Sequence, residues 1–307
     1  MKILVATEKP FAAAAVNGIR KIVEEAGREL ALIEKYTDKA QLLEAVADAD
    51  ALIVRSDKVT AEVIAAAPKL KIVVRAGAGF DNLDLAACSE RRIVAMNTPG
   101  QNSNAVAELA IAMMIFMSRN QFTPGTGCEI QGRKLGIQAY GNVGRLVAAK
   151  AKALGMEVMA YDPFVPAEKM QEEGVVPAES LEQMYGQCNF ISLHIPAVPA
   201  TIGSINYDLI SRMPKGGCLV NTARKEVINE AELVKVLTDR PDLKYITDIA
   251  AVCQEELNQK FCKQVFATPK KMGAETAEAN INAGLAAARQ ICGYFETGCT
   301  KFQLNKW

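Results

Sequence analysis

Short apolar runs rich in β-branched residues alternate along the chain with alanine-rich stretches of helical length. This alternation is typical of parallel sheets with helices packed on both faces. We predict two series of strands, each forming one sheet of about five or six strands. The first series covers residues 3–6, 31–35, 51–55, 72–76 and 93–97, and the second covers 135–139, 157–161, 190–194, 218–222, 245–248 and 265–267.

Two longer helices frame the second series. Residues 102–119 are apolar on most faces, which predicts a buried helix between the two series. The proline and glycines of QFTPGTG, residues 121–127, break that helix. Residues 274–295 predict a long final helix, whose early Glu275 and Glu278 suit the positive end of the helix dipole. A final helix of this length could pack back on the first domain, with the second domain inserted between.

The total charge and the cysteine pattern exclude several classes of function. The 35 basic residues balance the 35 acidic residues, and no basic run stands out, so we expect no nucleic-acid partner and no membrane surface. The start MKILVATEK lacks a signal-peptide core, which favours a cytoplasmic location. The eight cysteines show no CxxC spacing, so we expect reduced thiols and no metal site.

A glycine turn follows the first strand of the second series. Residues 139–144, AYGNVG, match the dinucleotide fingerprint GxGxxG except for alanine in the first slot. Asp162 ends the next strand, where a carboxylate can bond the ribose hydroxyls of NAD and repel the 2′-phosphate of NADP. We predict that NAD is bound by Asp162 and by the turn residues Tyr140, Gly141, Asn142, Val143 and Gly144.

Charged side chains follow other strands. Arg224 ends one strand of the second series, and its planar fork can hold a carboxylate. The carboxyl ends of parallel strands are where such sheets bind ligands. The same edge should receive His194, Asp248, Lys270 and Lys271. In the first series, Arg55, Ser56, Lys58, Arg75, Ala76 and Gly77 also follow strands. Cations from both series suggest a small substrate with two anionic groups.

Several stretches resemble the D-isomer-specific 2-hydroxyacid dehydrogenases. They are RAGAGFDN at 75–82, NTPGQNSNAVAELA at 97–110, SLHIP at 192–196, NTAR at 221–224 and GAETAEA at 273–279. Within this family, Arg55, Lys58 and Arg75 favour the members that oxidise 3-phospho-D-glycerate. The resemblance implies that a hydride moves between C2 of the hydroxy acid and the nicotinamide.

The resemblance also implies roles for individual residues. Arg224 is expected to bind the substrate carboxylate, and Asn102 to meet the substrate. The phosphate end is expected to contact Arg55, Ser56, Lys58, Arg75, Ala76 and Gly77. The cofactor is expected to contact His194, Ile195, Pro196, Thr222, Ala223 and Asp248. His194, the only histidine, is interpreted as a neutral group near the nicotinamide ribose or as a structural group.

For the fold, we expect an α/β protein with two doubly wound parallel-sheet domains. A Rossmann NAD-binding domain, residues 99–282, is inserted into a flavodoxin-like substrate-binding domain, residues 1–98 and 283–307. We expect a homodimer, although the segment that usually precedes the glycine turn in the family is shorter here. We also expect no regulatory domain and no feedback by serine.

The chain departs from the family at the catalytic pair. Lys270 and Lys271 follow Thr268-Pro269 where the family has a histidine, and Cys253 occupies the slot of its glutamate. A lysine that acts as a base needs a pKa below the ordinary value of about 10.4, which burial beside an arginine would provide. We predict that Lys270 or Lys271 is the acid/base, without a carboxylate partner.

Alternatives stay open at this point. Glu255 and Glu256 are weaker candidates for a partner of the lysine, which would then favour carbonyl reduction. Two solvated lysines without a catalytic role are also possible. Other functions are a glyoxylate or hydroxypyruvate reductase, whose substrates lack phosphate, and a non-catalytic NAD-sensing protein similar to the corepressors of this fold.

Overall fold

The computed structural model describes all residues from Met1 to Trp307. Its strands are β1 (Lys2–Thr7), β2 (Glu29–Glu34), β3 (Ala51–Val54), β4 (Ile72–Arg75), β5 (Val94–Asn97), β6 (Lys134–Gln138), β7 (Glu157–Tyr161), β8 (Val176–Pro177), β9 (Phe190–Leu193), β10 (Cys218–Asn221), β11 (Lys244–Thr247) and β12 (Val265–Ala267). Its α-helices are α1 (Ala13–Glu25), α2 (Lys39–Val46), α3 (Ala61–Ala65), α4 (Leu85–Glu90), α5 (Ser103–Ser118), α6 (Asn142–Ala153), α7 (Ala167–Glu172), α8 (Leu181–Gln187), α9 (Tyr207–Ile210), α10 (Glu230–Asp239), α11 (Gln254–Lys260) and α12 (Ala277–Thr297). None of them combines the length and apolar character needed to cross a lipid bilayer.

The chain forms two compact units. One, here the discontinuous unit, comprises Met1–Asn102 and Glu275–Trp307, and the other, the continuous unit, comprises Ser103–Ala274. The junctions fall just before α5 and α12, whereas the predicted boundaries cut after residues 98 and 282. The binding role given to each domain stays a prediction.

The discontinuous unit is built on a parallel sheet with the order β2-β1-β3-β4-β5. This is the order of flavodoxin-like doubly wound sheets, as predicted. Helices α1 and α12 cover one face, where Ile19, Val23, Ala287 and Ile291 are buried with the strands. Because helices cover both faces, all four residues of β3 are buried, which explains the continuous apolar run.

The continuous unit contains a seven-stranded parallel sheet with the order β12-β11-β10-β9-β6-β7-β8. Counted from β6, its first six strands follow the order 3-2-1-4-5-6 of dinucleotide-binding sheets, which confirms the Rossmann fold. The predicted buried helix is α5, whose Ala107, Met114 and Met117 pack into the core of this unit. Strand β8 was not predicted because two residues, one of them Pro177, are too short to show a period.

Several predicted strands extend one residue beyond the observed ones. The surplus residues are Lys35, Arg55, Ala76, Ala139, His194, Thr222 and Asp248. Each lies in the loop that follows its strand, although the backbone N–H groups of Ala76, Ala139, His194 and Asp248 still donate hydrogen bonds to carbonyls of neighbouring strands. Most candidate site residues therefore occupy strand-to-helix loops, where the chain can turn a side chain or an amide toward a ligand.

Candidate functional site

The glycine turn joins β6 to α6 in the continuous unit. Ala139, in the first glycine slot, has a φ of 76°, a left-handed conformation that glycine adopts more readily. A Cβ on Gly141 would meet no atom within 4 Å, whereas a Cβ on Gly144 would collide with the carbonyl oxygen of Ala139. Gly141 thus leaves open space over the amides that begin α6, and Gly144 allows the helix to pack close to the strand.

Asp162 lies beside this turn, directly after β7. Its Oδ2 accepts a hydrogen bond of 2.7 Å from the backbone N–H of Tyr140, and its Oδ1 accepts one of 2.8 Å from the N–H of Phe164. The carboxylate is half-buried. Because each carboxylate oxygen accepts about two hydrogen bonds, Asp162 keeps capacity for two hydroxyl groups of a ligand.

The side chain of Tyr140 points into the protein. Only 1% of Tyr140 is exposed, and its hydroxyl donates a hydrogen bond of 2.8 Å to Oε2 of Glu173. Arg145 forms an ion pair with the same Glu173, and its guanidinium lies 5.1 Å from the centre of the Tyr140 ring. A role of Tyr140 in cofactor binding is therefore restricted to its backbone, and sequence spacing gave no sign of Glu173.

Thr222 and Asp248 follow the neighbouring strands β10 and β11. Both are buried, and the Oγ1 of Thr222 and the Oδ1 of Asp248 have no hydrogen-bond partner. The other carboxylate oxygen of Asp248 accepts hydrogen bonds from the N–H groups of Met272, at 3.2 Å, and Gly273, at 2.7 Å. Buried polar atoms without a partner are rare in folded proteins and fit contacts with a bound ligand.

His194 follows β9 at the same edge of the sheet. Its backbone N–H donates to the carbonyl of Gln138 at 2.9 Å, and its Nε2 lies 3.0 Å from the hydroxyl of Ser192. Burial lowers the pKa of His194 to about 4. The imidazole is therefore neutral near pH 7, which agrees with its interpretation as a neutral group; Ile195 and Pro196 continue the loop, and their contact with the cofactor stays a prediction.

Arg224 lies at the end of the NTAR stretch, next to Thr222 and Ala223. Its Nη1 donates a hydrogen bond of 2.9 Å to the carbonyl of Ala223, and no carboxylate of the protein pairs with it. Its own carbonyl accepts a hydrogen bond of 2.9 Å from the Asn221 side chain, which anchors the loop. A partly buried guanidinium without an acidic partner is suited to an anionic ligand.

The two lysines follow β12. The side chains of Lys270 and Lys271 are both exposed, and the carbonyl of Lys270 accepts a hydrogen bond of 2.7 Å from the Thr268 hydroxyl. The hypothesis that one lysine acts as a base requires a buried side chain, and the protein alone does not bury either lysine. An acid/base role for either lysine stays a prediction.

A carboxylate from another helix contacts the backbone of Cys253, the residue in the slot of the family's glutamate. Glu230, at the start of α10, accepts hydrogen bonds of 2.9 Å from the N–H of Val252 and 3.0 Å from the N–H of Cys253. Glu256 instead forms an ion pair of 2.7 Å with Lys260 within α11. Glu255 is exposed, and its carboxylate accepts a hydrogen bond of 3.5 Å from the Gln259 side chain. Sequence reasoning considered Glu255 and Glu256 and missed Glu230, which lies far from Cys253 in sequence.

In the discontinuous unit, two arginines follow the neighbouring strands β3 and β4. The Nε of Arg75 donates to the carbonyl of Arg55 at 2.9 Å. The guanidinium of Arg55 donates to Asn280 at 2.6 Å and lies 5.1 Å from the ring centre of Phe11. Gly77 has a φ of 152°, and a Cβ there would collide with the Arg75 guanidinium. The structure thus brings Arg55, Arg75 and Gly77 together.

The remaining predicted residues of this unit are less constrained. Ser56 and Lys58 are exposed, Asn102 is half-buried, and Ala76 is buried. The neighbouring Asp57 is structural, because its buried carboxylate accepts hydrogen bonds from the Tyr36 hydroxyl at 2.7 Å and the N–H of Glu8 at 2.6 Å. The substrate contacts of Ser56, Lys58 and Asn102 stay predictions.

A comparison with protein families identifies the family that has these site residues. Residues 104–270 match the NAD binding domain of the D-isomer specific 2-hydroxyacid dehydrogenases. The chain belongs to this family. The matched region covers the glycine turn, Asp162, His194, Arg224 and Asp248, and it spans nearly the whole of the continuous unit.

Individual relatives carry more specific names. The chain is 36% identical over 286 residues to the D-3-phosphoglycerate dehydrogenase of Methanocaldococcus jannaschii. The aligned region covers 88% of this chain and 54% of that protein. The chain thus spans about half the length of this relative and of the one from Mycobacterium tuberculosis, where it covers 51%. It is 34% identical to the hydroxypyruvate reductase of Thermotoga maritima, over 86% of this chain and 90% of that protein.

A solved structure is similar over the whole chain. It is the NAD+-bound 3-phosphoglycerate dehydrogenase of Entamoeba histolytica, with 50% identity and a TM-score of 0.89. The similarity covers 100% of this chain and 99% of that one. This structure and the family match agree with the predicted cofactor, NAD.

Proposed function

We propose that the protein oxidises 3-phospho-D-glycerate to 3-phosphohydroxypyruvate with NAD, the entry to serine biosynthesis. The observation that carries this proposal is the set of unsatisfied groups at one sheet edge. Arg224 has no acidic partner there, and Thr222 and Asp248 each have a buried oxygen without a partner. The relatives named D-3-phosphoglycerate dehydrogenase support the choice of substrate.

The residues of the continuous unit fit the cofactor. The open space at Gly141 and the remaining capacity of Asp162 suit a pyrophosphate and an adenosine ribose. The unpartnered Oδ1 of Asp248 is an acceptor for an amide N–H group, and the Thr222 hydroxyl can donate or accept. NAD, when bound, accepts a hydride from C2 of the substrate.

In this proposal, cationic side chains bind the substrate. Arg224 binds the carboxylate through two parallel hydrogen bonds, and Asn102 contacts the substrate. The phosphate is bound by Arg55, Ser56, Lys58 and Arg75 and by the backbone of Ala76 and Gly77. Substrate binding by several such groups fixes the C2 hydroxyl for reaction.

One of the two lysines completes the site. Lys270 or Lys271 accepts the proton of the C2 hydroxyl during oxidation, and returns a proton to the carbonyl oxygen during reduction. The exposed position of both side chains requires that bound ligands exclude water before the ammonium is destabilised. The protein acts in the cytoplasm as a homodimer in this proposal.

The test is NADH formation with 3-phospho-D-glycerate across a range of pH, with D-glycerate as the substrate without phosphate. We expect turnover with the phosphorylated substrate and much weaker turnover with D-glycerate. In Arg75→Ala, the KM for phosphoglycerate should rise at least tenfold, because a charge-assisted contact contributes roughly 1.5–3 kcal/mol. An unchanged KM would remove the phosphate role of Arg75.

A second candidate is reduction of hydroxypyruvate, favoured by the Thermotoga maritima relative, most of whose length the chain covers. The two candidates are separated by NADH oxidation with hydroxypyruvate and with 3-phosphohydroxypyruvate. A higher kcat/KM for hydroxypyruvate would favour this candidate. Binding of NADH without turnover of any of these substrates would favour the NAD-sensing alternative.

A further inference from the structure

Tyr140 is fixed at both of its polar ends by the segment that runs from β7 to β8. Its N–H donates to Asp162, which follows β7, and its hydroxyl donates to Glu173, which follows α7. Arg145, in the first turn of α6, pairs with Glu173 and covers the Tyr140 ring. The network therefore connects the glycine turn and α6 with the residues that directly follow β7 and α7.

We propose that Tyr140, Glu173 and Arg145 position the glycine turn and Asp162 for NAD. These three residues are named here the turn network. Tyr140 acts through Asp162 and through the amides that begin α6, and its side chain is not available to a ligand because it is buried. Glu173 and Arg145 act through Tyr140. None of the three side chains is required to touch the cofactor.

The turn needs such support because its first residue is strained. Ala139 adopts a φ of 76°, and this conformation costs a residue with a Cβ about 1–2 kcal/mol. Relaxation of Ala139 would move the next peptide, which carries the N–H that Tyr140 donates to Asp162. The buried ring and the hydroxyl bond to Glu173 oppose that movement.

The same contact fixes the orientation of Asp162. Two backbone N–H groups hold its carboxylate, and the one from Tyr140 is the shorter at 2.7 Å, against 2.8 Å from Phe164. A site that is already ordered loses less conformational freedom when the ligand binds, so its affinity is higher. Loosening of Tyr140 should therefore weaken NADH binding without removing any group that contacts NADH.

The protein contains a matched control for this network. Tyr207 donates its hydroxyl to Asp239 at 3.0 Å, Lys235 pairs with Asp239 at 2.8 Å, and the Lys235 ammonium lies 3.8 Å from the Tyr207 ring centre. The chemistry resembles that of the turn network, but this trio lies on α9 and α10, outside the glycine turn. Loss of the Tyr207 hydroxyl should leave the cofactor site unchanged.

The experiment is a fluorescence titration of NADH without substrate, on Tyr140→Phe, Glu173→Gln, the double variant and Tyr207→Phe. We expect the Kd for NADH to rise about five- to tenfold in each single variant, the effect of one lost hydrogen bond. The Kd of the double variant should match that of the single variant with the higher Kd, because both changes break the same network. Tyr207→Phe should match the unaltered protein.

A second measurement separates positioning from a purely structural role. In steady-state assays, Glu173→Gln should raise the KM for NAD while kcat at saturating NAD stays within about twofold. A lowered Tm with an unchanged Kd for NADH would overturn the proposal, as would additive effects in the double variant. If Tyr140→Phe does not fold, Glu173→Gln and Arg145→Lys give the same comparison. The NADH titration does not depend on the substrate, so it can fail or succeed independently of phosphoglycerate oxidation.

Discussion

Thr222 and Asp248 lie next to each other at the carboxyl ends of β10 and β11, and each has a buried oxygen without a hydrogen-bond partner. The strands pair in register up to Asn221 and Thr247, the residues directly before them. A protein that leaves two such oxygens unsatisfied at one place loses stability, by about 1–3 kcal/mol for each group. Hydrogen bonds from a ligand would recover this loss of stability. Substitution of Thr222 or Asp248 should therefore change cofactor affinity.

Asp248→Asn tests this relationship. The amide oxygen of Asn can still accept from Met272 and Gly273, but it places an NH2 donor where the unpartnered oxygen stands. We expect the Kd for NADH to rise about tenfold or more, with a small change in Tm. Thr222→Val, which replaces the hydroxyl by a methyl group, should give a smaller rise. Unchanged NADH affinity in Asp248→Asn would mean that the orphaned oxygen does not contact the cofactor.

A pair of small substitutions in the glycine turn should change stability in opposite directions. Ala139→Gly should stabilise the protein by up to about 1 kcal/mol, because glycine adopts a φ of 76° without strain. Gly144→Ala should destabilise it, because the added Cβ collides with the carbonyl of Ala139. The measurement is the urea midpoint of each variant. A lower midpoint for Ala139→Gly would show that Ala139 is not strained.

The parts of the fold that sequence predicted are those set by local composition. The buried strands, α5 and α12 follow from apolar runs and helix breakers, because two covered faces demand continuous apolar sequence. The glycine turn and Asp162 follow from fixed spacing within one strand-turn-helix unit. Strand β8 has too few residues to show such a pattern.

The contacts that could not be predicted join residues far apart in sequence. Glu173 accepts a hydrogen bond from Tyr140, 33 positions away in sequence, and Glu230 accepts one from Cys253, 23 positions away. Such pairs depend on how α7 and α10 pack on the sheet, which no local pattern specifies. The exposure of Lys270 and Lys271 is likewise set by the loop after β12 and not by their residue type.

His194 gives a pH dependence that can be assigned to one residue, because the chain has a single histidine. Burial lowers its pKa to about 4, against about 6.5 in an unfolded chain. Between these values the unfolded chain binds a proton that the folded protein does not, so stability falls as the pH falls. Above about pH 6.5 His194 is neutral in both states and adds no pH dependence.

We therefore expect the urea midpoint to drop between about pH 7 and pH 5.5, and to drop less in His194→Gln. The pKa itself is measured from the His194 ring proton by NMR. A pKa near 6.5 in the folded protein would show that burial does not disfavour the charged form of His194.

Cys253 should be slow to alkylate although it is only half-buried. Burial and a hydrogen bond with Glu230 raise the pKa of the Cys253 thiol to about 11, and the thiolate is the reactive form. At about pH 8, iodoacetamide should modify the exposed Cys128, Cys262 and Cys299 first. Glu230→Gln should accelerate the modification of Cys253, measured by mass spectrometry, while the buried Cys88 stays unmodified. Equal rates for Cys253 with and without Glu230 would contradict this assignment.

The two lysines after β12 are compared best by separate replacement. Lys270→Ala or Lys271→Ala, but not both, should lower kcat for phosphoglycerate oxidation by about 100- to 10,000-fold, the usual effect of losing a general base. The corresponding arginine variant should also be inactive, because a guanidinium keeps its proton. Lys263→Ala, an exposed lysine of the same unit, is the control and should retain full activity.

The pH profile of the unaltered protein decides whether a lysine is the base. A lysine accepts a proton only when it is neutral, so kcat for oxidation should rise with pH, whereas reduction should be favoured at lower pH. Glu256→Gln should leave this profile in place, because Glu256 pairs with Lys260 within α11. If both alanine variants keep full activity at every pH, neither lysine transfers the proton, and the family's missing histidine has been replaced by another group or by water.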